Sequence, residues 1–253
     1  TRRNCTVFMK VVKIKWVILL VISYSLALAA LAPLQWLLPL AGPRLASLGV
    51  TLEEPDGTLW QGESLVRLKS YGYVKVDWDV QLLGLLSLKL PVQISVQNAQ
   101  MAVTGRLLVK PAGLAIENLT GYLDDTLFAP IYSAYKASLS GRLQLDSVSA
   151  EVGWGKQLGA LHGSLTWSGG PVGIPMGRTV QNYQVPTLFG QLASNDQGWT
   201  LRAQGERQQD YINIALTPAG LATLTVQRTL AEDMAIRVPG NGTTLFDISQ
   251  QVF

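Results

Sequence analysis

Between Ser87 and Gln97 the side chains change character at nearly every step. Leu88, Leu90, Val92, Ile94 and Val96 fall on one side, and Ser87, Lys89, Gln93, Ser95 and Gln97 on the other. A period of two lays an apolar stripe along one face of a strand, whereas on a helix the same residues would scatter around the axis. Pro91 stands on the polar side and predicts an edge or poorly paired position, because proline has no donor for a ladder. Val74, Val76 and Trp78 alternate in the same way with Lys75, Asp77 and Asp79. So do Leu139, Leu143 and Leu145 with Ser140, Arg142, Gln144 and Asp146. Further strands are predicted at 64–70, 101–109, 113–118, 148–154, 161–168, 186–194, 198–205, 211–217 and 221–228, separated by turn residues around Gly113, Gly198 and Gly220.

Roughly a dozen strands at hairpin spacing predict a mainly β fold, an antiparallel sheet built as a sandwich, a barrel or one long curved sheet. Gly-x-Leu recurs at Gly105, Gly141, Gly163 and Gly190, at irregular intervals. Glycine near strand starts permits bulges and strong twist, which favours a curved, sandwich-like meander over a strict repeat. Short helical turns are expected at 124–136 and near 229–234. The run GGPVGIPMG at 169–177 reads as a hinge dividing a first β half (50–168) from a second (178–253).

The first forty residues follow a different rule. From Trp16 to Leu38 no residue is charged, and such a helix is long enough to span the ~30 Å hydrocarbon core. Trp16 and Trp36 stand where interfacial aromatics are expected, and Pro33, Pro39 and Gly42-Pro43 are expected to end the helix. This predicts one transmembrane helix over 16–38, with 39–49 as a linker. Its apolar stretch exceeds that of an ordinary signal peptide, which favours an uncleaved anchor over cleavage near Ala29. Lys10, Lys13 and Lys15 precede the run and only Arg44 follows closely, so 1–15 is expected in the cytoplasm and the β domain outside it, which in a Gram-negative cell means the periplasm. Met9 opens MKVVKIKW and reads as the natural start, with 1–8 as an upstream extension.

That orientation also accounts for the charge. Of 20 basic residues, six precede or closely follow the apolar run; the remaining 14 face 17 acidic ones, so the β domain is slightly acidic and nucleic acid is not an expected partner. Cys5 is the single cysteine, which excludes an internal disulfide.

A catalytic constellation does not assemble from these residues. His162 is the one histidine and sits on the polar side of a predicted strand; without a second histidine or a usable cysteine, zinc and nucleophile–histidine sites lose their ligands and bases. Asp77 and Asp79 share a strand face and form a candidate acid/base or calcium pair, set against a plain solvated face. Asp124-Asp125 predicts a turn or a helix start. Trp60, Trp78, Trp154, Trp167 and Trp199 offer a candidate carbohydrate platform, weighed against core and rim positions. The expectation is a non-enzymatic protein with no cofactor and no metal.

One element carries a family resemblance. After the basic start and anchor comes DGTLWQG at 56–62, containing Gly57, Thr58, Leu59, Trp60 and Gly62. It is followed by Val76-Asp77-Trp78-Asp79-Val80, the leucine turn 82–86 and the alternating strand. This succession resembles protein N of the type II (general) secretion pathway. The resemblance implies an accessory subunit of the inner-membrane platform that takes part in exporting folded proteins from the periplasm. The implied location is the cell inner membrane, single-pass; the implied partners are other platform subunits, the outer-membrane secretin and membrane lipid. It carries over no catalytic residue: Asp56-Gly57 is expected to make a turn and Trp60 to anchor the first strand in the core. The same β grammar occurs in AsmA-like envelope proteins, so the alternative is a periplasmic lipid-binding or envelope-bridging protein. A scaffold buries its Leu, Val and Ile faces in a closed core; a carrier exposes an apolar trough.

Overall fold

The computed structural model describes residues 16, 19–21, 23–24, 33–36, 38–47, 49–68, 72–133, 136–176, 179–236, 240 and 242–252. Most of the anchor predicted over 16–38, and all of 1–15, lies outside the described residues. Among those described, no helix is long and apolar enough to cross a membrane.

The predicted linker contains a helix, Leu38–Ser47, preceded by a 3-10 turn at Leu34–Trp36. Two of the prolines expected to stop helical structure, Pro39 and Pro43, are inside it, whereas Pro33 lies ahead of it in a bridge to Thr58. Pro39 falls in the first turn, where a backbone donor has no partner anyway, and Pro43 forfeits a single rung.

The strands follow in order: β1 Val50–Gly57, β2 Gln61–Leu68, β3 Gly72–Val80, β4 Leu90–Gln97, β5 Met101–Lys110, β6 Gly113–Asp124, β7 Ser138–Leu139 and β8 Arg142–Gly153. After them come β9 Leu158–Trp167, β10 Gly170–Met176, β11 Thr179–Val185, β12 Leu188–Asn195, β13 Gly198–Gln204, β14 Asp210–Leu216, β15 Leu221–Gln227 and β16 Thr244–Gln251. Thirteen of them form one sheet in the order β1-β2-β3-β4-β5-β6-β8-β9-β12-β13-β14-β15-β16. Each neighbouring pair is antiparallel, as successive hairpins demand. The sheet is therefore an open meander with β1 and β16 at its edges.

Several expectations change against this frame. The two predicted strands 139–146 and 148–154 are largely one, β8, because the register slips between Asp146 and Ser149 around Ser147, whose φ is 51°. Such a bulge moves one residue out of the ladder and bends the strand without ending it. Leu88 does not continue the apolar stripe of β4: its φ is 54° and it is exposed in the connection after the 3-10 turn Leu82–Ser87. Pro91 lies inside the sheet, but before the β3–β4 ladder starts at Val80↔Val92, so its missing donor breaks no rung with β3. Helical turns occupy Asp125–Phe128, Ala129–Tyr132 and Arg228–Asp233, within the predicted windows.

The proposed hinge at 169–177 is a strand. β10 is the middle of a small second sheet, β11-β10-β7, while the main sheet passes directly from β9 to β12 through Trp167↔Leu188. Pro171 and Pro175 are tolerated because their backbone nitrogens face the β7 side, where pairing covers only Val172 and Gly173.

The core is thin. Buried apolar side chains among the described residues are spread in small groups along the sheet, Val66 and Val74, Leu108 and Ala115, Leu145 and Leu161, then Ala203, Tyr211 and Val226, with Leu127 and Ala231 in the helical turns. Val92, Ile94, Val96, Val103 and Leu107 share the apolar face of β4 and β5 but stay half-buried. One sheet with little laid over it cannot close a deep core.

Candidate functional site

The motif 56–62 builds the β1–β2 corner, and it does so one step later than predicted. Asp56 and Gly57 are still in β1, paired with Glu63 and Gly62; the turn is Thr58 to Gln61. The Thr58 N–H donates to the Gln61 carbonyl at 2.8 Å. In return the Thr58 hydroxyl, in place of a backbone carbonyl, accepts the Gln61 N–H at 3.1 Å and the Trp60 N–H at 3.2 Å. The Thr58 carbonyl accepts the indole N–H of Trp78 at 3.3 Å. A threonine here therefore closes the turn and leaves an acceptor for the tryptophan of β3.

Gly57 has φ 96°, a conformation that side chains other than glycine rarely adopt. Gly62 is required for space: a Cβ there would meet the Asp56 carbonyl and stand 2.7 Å from Cζ2 of Trp78. Trp78 is thus the aromatic that packs into the corner. Trp60 lies half-buried in the turn, as Trp78 is on β3, with its carbonyl accepting the Val80 N–H at 2.6 Å. Leu59 is exposed at the tip. The six residues singled out from the sequence, Gly57, Thr58, Leu59, Trp60, Gly62 and Trp78, do come together.

Beside them lies an open cleft of about 380 Å³, lined by Asp56, Glu63, Asp77 and Asp79 with Gln61, Trp78, Gln93 and Ser95. Lys75 pairs with Glu63 at 2.6 Å and with Asp77 at 3.5 Å. The hydrogen bond and charge of Lys75 hold the Glu63 carboxyl below its usual range, and the same bond raises the Lys75 ammonium. A carboxyl shifted that way is ionised at neutral pH and unsuited to act as a general acid. Asp56 spends one oxygen on the Gly57 N–H at 2.8 Å. Among the described residues no group of three His, Cys, Asp or Glu could hold a metal ion. The cleft can accept hydrogen bonds and repel anions; its described residues form no nucleophile–base pair.

The other candidates separate. His162 is exposed on β9, opposite Ser149 and Ala193. Asp124 sits just before the turn Asp125–Phe128 and pairs with Arg142 at 2.6 Å, whose guanidinium lies 4.4 Å from the Tyr122 ring centroid. The tryptophans form no platform. Indole N–H groups of Trp154 and Trp199 donate to the carbonyls of Pro111 at 2.9 Å and Gly159 at 2.8 Å, so they staple strand ends. Trp167 meets Phe128 edge-on at 6.3 Å.

Sequence reading missed a second concavity, of about 400 Å³, between the main sheet, the β10–β11 hairpin and the helical turn Arg228–Asp233. Every described residue lining it is apolar, including Trp167, Val172, Val185, Leu188, Ile212 and Leu230. Its signal lay in the alternation of Val172 and Ile174 inside a run that glycine and proline made look like a loop.

The profile of the family described as type II secretion system (T2SS), protein N, matches residues 48–237. The chain belongs to this family. The match takes in the Thr58–Trp78 corner, the whole meander through β15 and both concavities' main walls. It ties the protein N domain described here to type II secretion, which agrees with the resemblance seen in 56–80. No curated protein and no solved structure matches the chain.

Proposed function

We propose that the chain is a non-enzymatic accessory subunit of the type II secretion inner-membrane platform. A single N-terminal anchor over 16–38 holds it, with the β domain in the periplasm. The family match over 48–237 is the observation that carries this reading. The uncharged run after Lys10, Lys13 and Lys15 supports the topology. The open meander supports an assembly role: its β16 edge and half-buried faces offer long surfaces to partners, which are other platform subunits and the outer-membrane secretin.

Affinity purification of the full chain from detergent-extracted membranes tests the role. Platform subunits should co-purify in fixed ratio, and their absence at every detergent condition that keeps the platform intact overturns it. A periplasm-only reporter fused after Phe253 should be active; activity of a cytoplasm-only reporter there overturns the topology. A hydrolytic activity abolished by Asp77→Asn or Asp79→Asn would refute the non-enzymatic assignment.

A further inference from the structure

We infer that the concavity beneath the β10–β11 hairpin binds an acyl chain of a membrane phospholipid. Its walls come from three directions. Leu188, Ile212 and Val226 of the main sheet form one side, Val172 and Ile174 of β10 the other, and Leu230 closes an end. Among the described residues no polar side chain lines it, so a polar group placed against them would lose water and gain no partner. A peptide segment is a poor occupant for that reason, since each residue brings an amide N–H and a carbonyl. A hydrocarbon chain brings neither.

The space is also held open. The hairpin is tied to the β7 region by the Ser140 N–H to the Pro171 carbonyl at 3.0 Å and the Gly173 N–H to the Ser138 hydroxyl at 3.1 Å. The helical turn is tied by the Thr229 hydroxyl to the Asp210 carbonyl at 2.6 Å. The Gln209 amide donates to Asp233 at 2.8 Å, and the Tyr211 hydroxyl donates to the same carboxylate. These bonds keep the second layer standing off the sheet, against the tendency of apolar walls to collapse to normal packing density. The volume of about 400 Å³ corresponds to roughly 16 carbon atoms, on the scale by which a 150 Å³ cavity takes benzene. The uncharged run ahead of the domain points to a bilayer lipid as the source of that chain.

The test uses the full chain reconstituted in vesicles of phosphatidylethanolamine and phosphatidylglycerol, with a phosphatidylethanolamine probe carrying a diazirine at the end of one acyl chain. After illumination, peptide mapping should place cross-links on the segments 172–188, 212–226 and 230–236. Cross-links confined to 16–38 overturn the proposal, because that run would meet the probe in any bilayer. Labelling of the cavity by diazirine-bearing palmitic acid but not by the phospholipid probe overturns the assignment to phospholipid. Val185→Trp, which fills the cavity from β11, should lower cavity labelling at least tenfold. Val180→Trp, on the opposite face of the same strand and exposed, should leave it unchanged. Equal labelling in both variants overturns the site. The secretion assignment stands or falls separately, on the recovery of platform subunits.

Discussion

The two ends of the sheet solve the same problem in opposite ways. At the β1–β3 end the apolar face is filled from within: Trp78 lies over Gly62, its indole is hydrogen-bonded to the turn, and Val66 and Val74 are buried, Val74 to 1 % exposure. At the β12–β16 end a second layer stands over the sheet, and polar ties outside the gap support it in place of interlocking side chains. A tightly filled corner tolerates no added atom. A propped one tolerates added volume but not the loss of a prop. The edges differ likewise. β1 is blunted by Glu53, Glu54, Pro55 and a bulge with Glu54 at φ 49°, whereas β16 presents exposed Phe246 and Ile248 and carries no proline.

The largest expected effect breaks the filled end. Gly62→Val drives a branched side chain into Trp78 and should cost about 3 kcal/mol, read from a shifted urea midpoint at unchanged slope. Gly242→Ala, whose new methyl comes no closer than 3.6 Å to Thr244, should stay within about 0.5 kcal/mol of the parent.

The next effect removes a prop. Tyr211 is 1 % exposed, and Tyr211→Phe removes one of the two side-chain hydrogen bonds to the exposed Asp233, at a cost of about 1.5 kcal/mol. This contact also has a pH signature. Hydrogen bonds from Tyr211 and then Gln209 hold the Asp233 carboxyl below its usual range, so its stabilisation is present above the unfolded-state value and is lost as pH falls through the lowered native one. Burial, and then the bond to Asp233, raises the Tyr211 hydroxyl, so its stabilisation is present below its ordinary range and is lost as pH rises through the raised native value. Melting temperatures measured from acid to alkali should fall at both ends in the parent, and both limbs should shrink in Tyr211→Phe.

Smaller effects sharpen the contrast. Thr58→Ala removes the acceptor for two backbone donors in the turn and should cost about 1 kcal/mol without altering acyl-chain labelling at the far end. Lys75→Gln breaks the exposed pairs with Glu63 and Asp77 and should leave the melting temperature within error, at low and high salt alike.

The sequence made the strands legible where alternation was clean and chain punctuation strong. β3, β5, β9, β13 and β15 lie close to their predicted places for this reason. β1 was hidden by Glu53-Glu54-Pro55, β10 by Gly170, Pro171, Gly173 and Pro175, and β16 by the weak alternation of Asp247, Ser249 and Gln250 with its neighbours. Each of these is at an edge or in the short second sheet, where a strand can keep residues that a central ladder rejects. The candidate site divides in the same way. The residues of the Thr58–Trp78 corner were all marked in advance, since their types and spacing are local. The Trp78–Thr58 bond, the Gly62 contact and the apolar concavity were not, because each joins residues that only the register brings together.

Local chemistry therefore determined the mainly β class, the short helical turns, the family resemblance and the slightly acidic charge of the domain, since periodicity and composition are properties of neighbours along the chain. Tertiary structure decided that thirteen strands form one open meander while β10 joins a small second sheet, that Trp78 lies against Gly62, and that Val172 and Ile174 line one gap with Leu188, Ile212 and Val226. The reason is that a ladder's partner and register depend on energies summed over residues far apart in sequence, and a cavity exists only where two such ladders fail to meet.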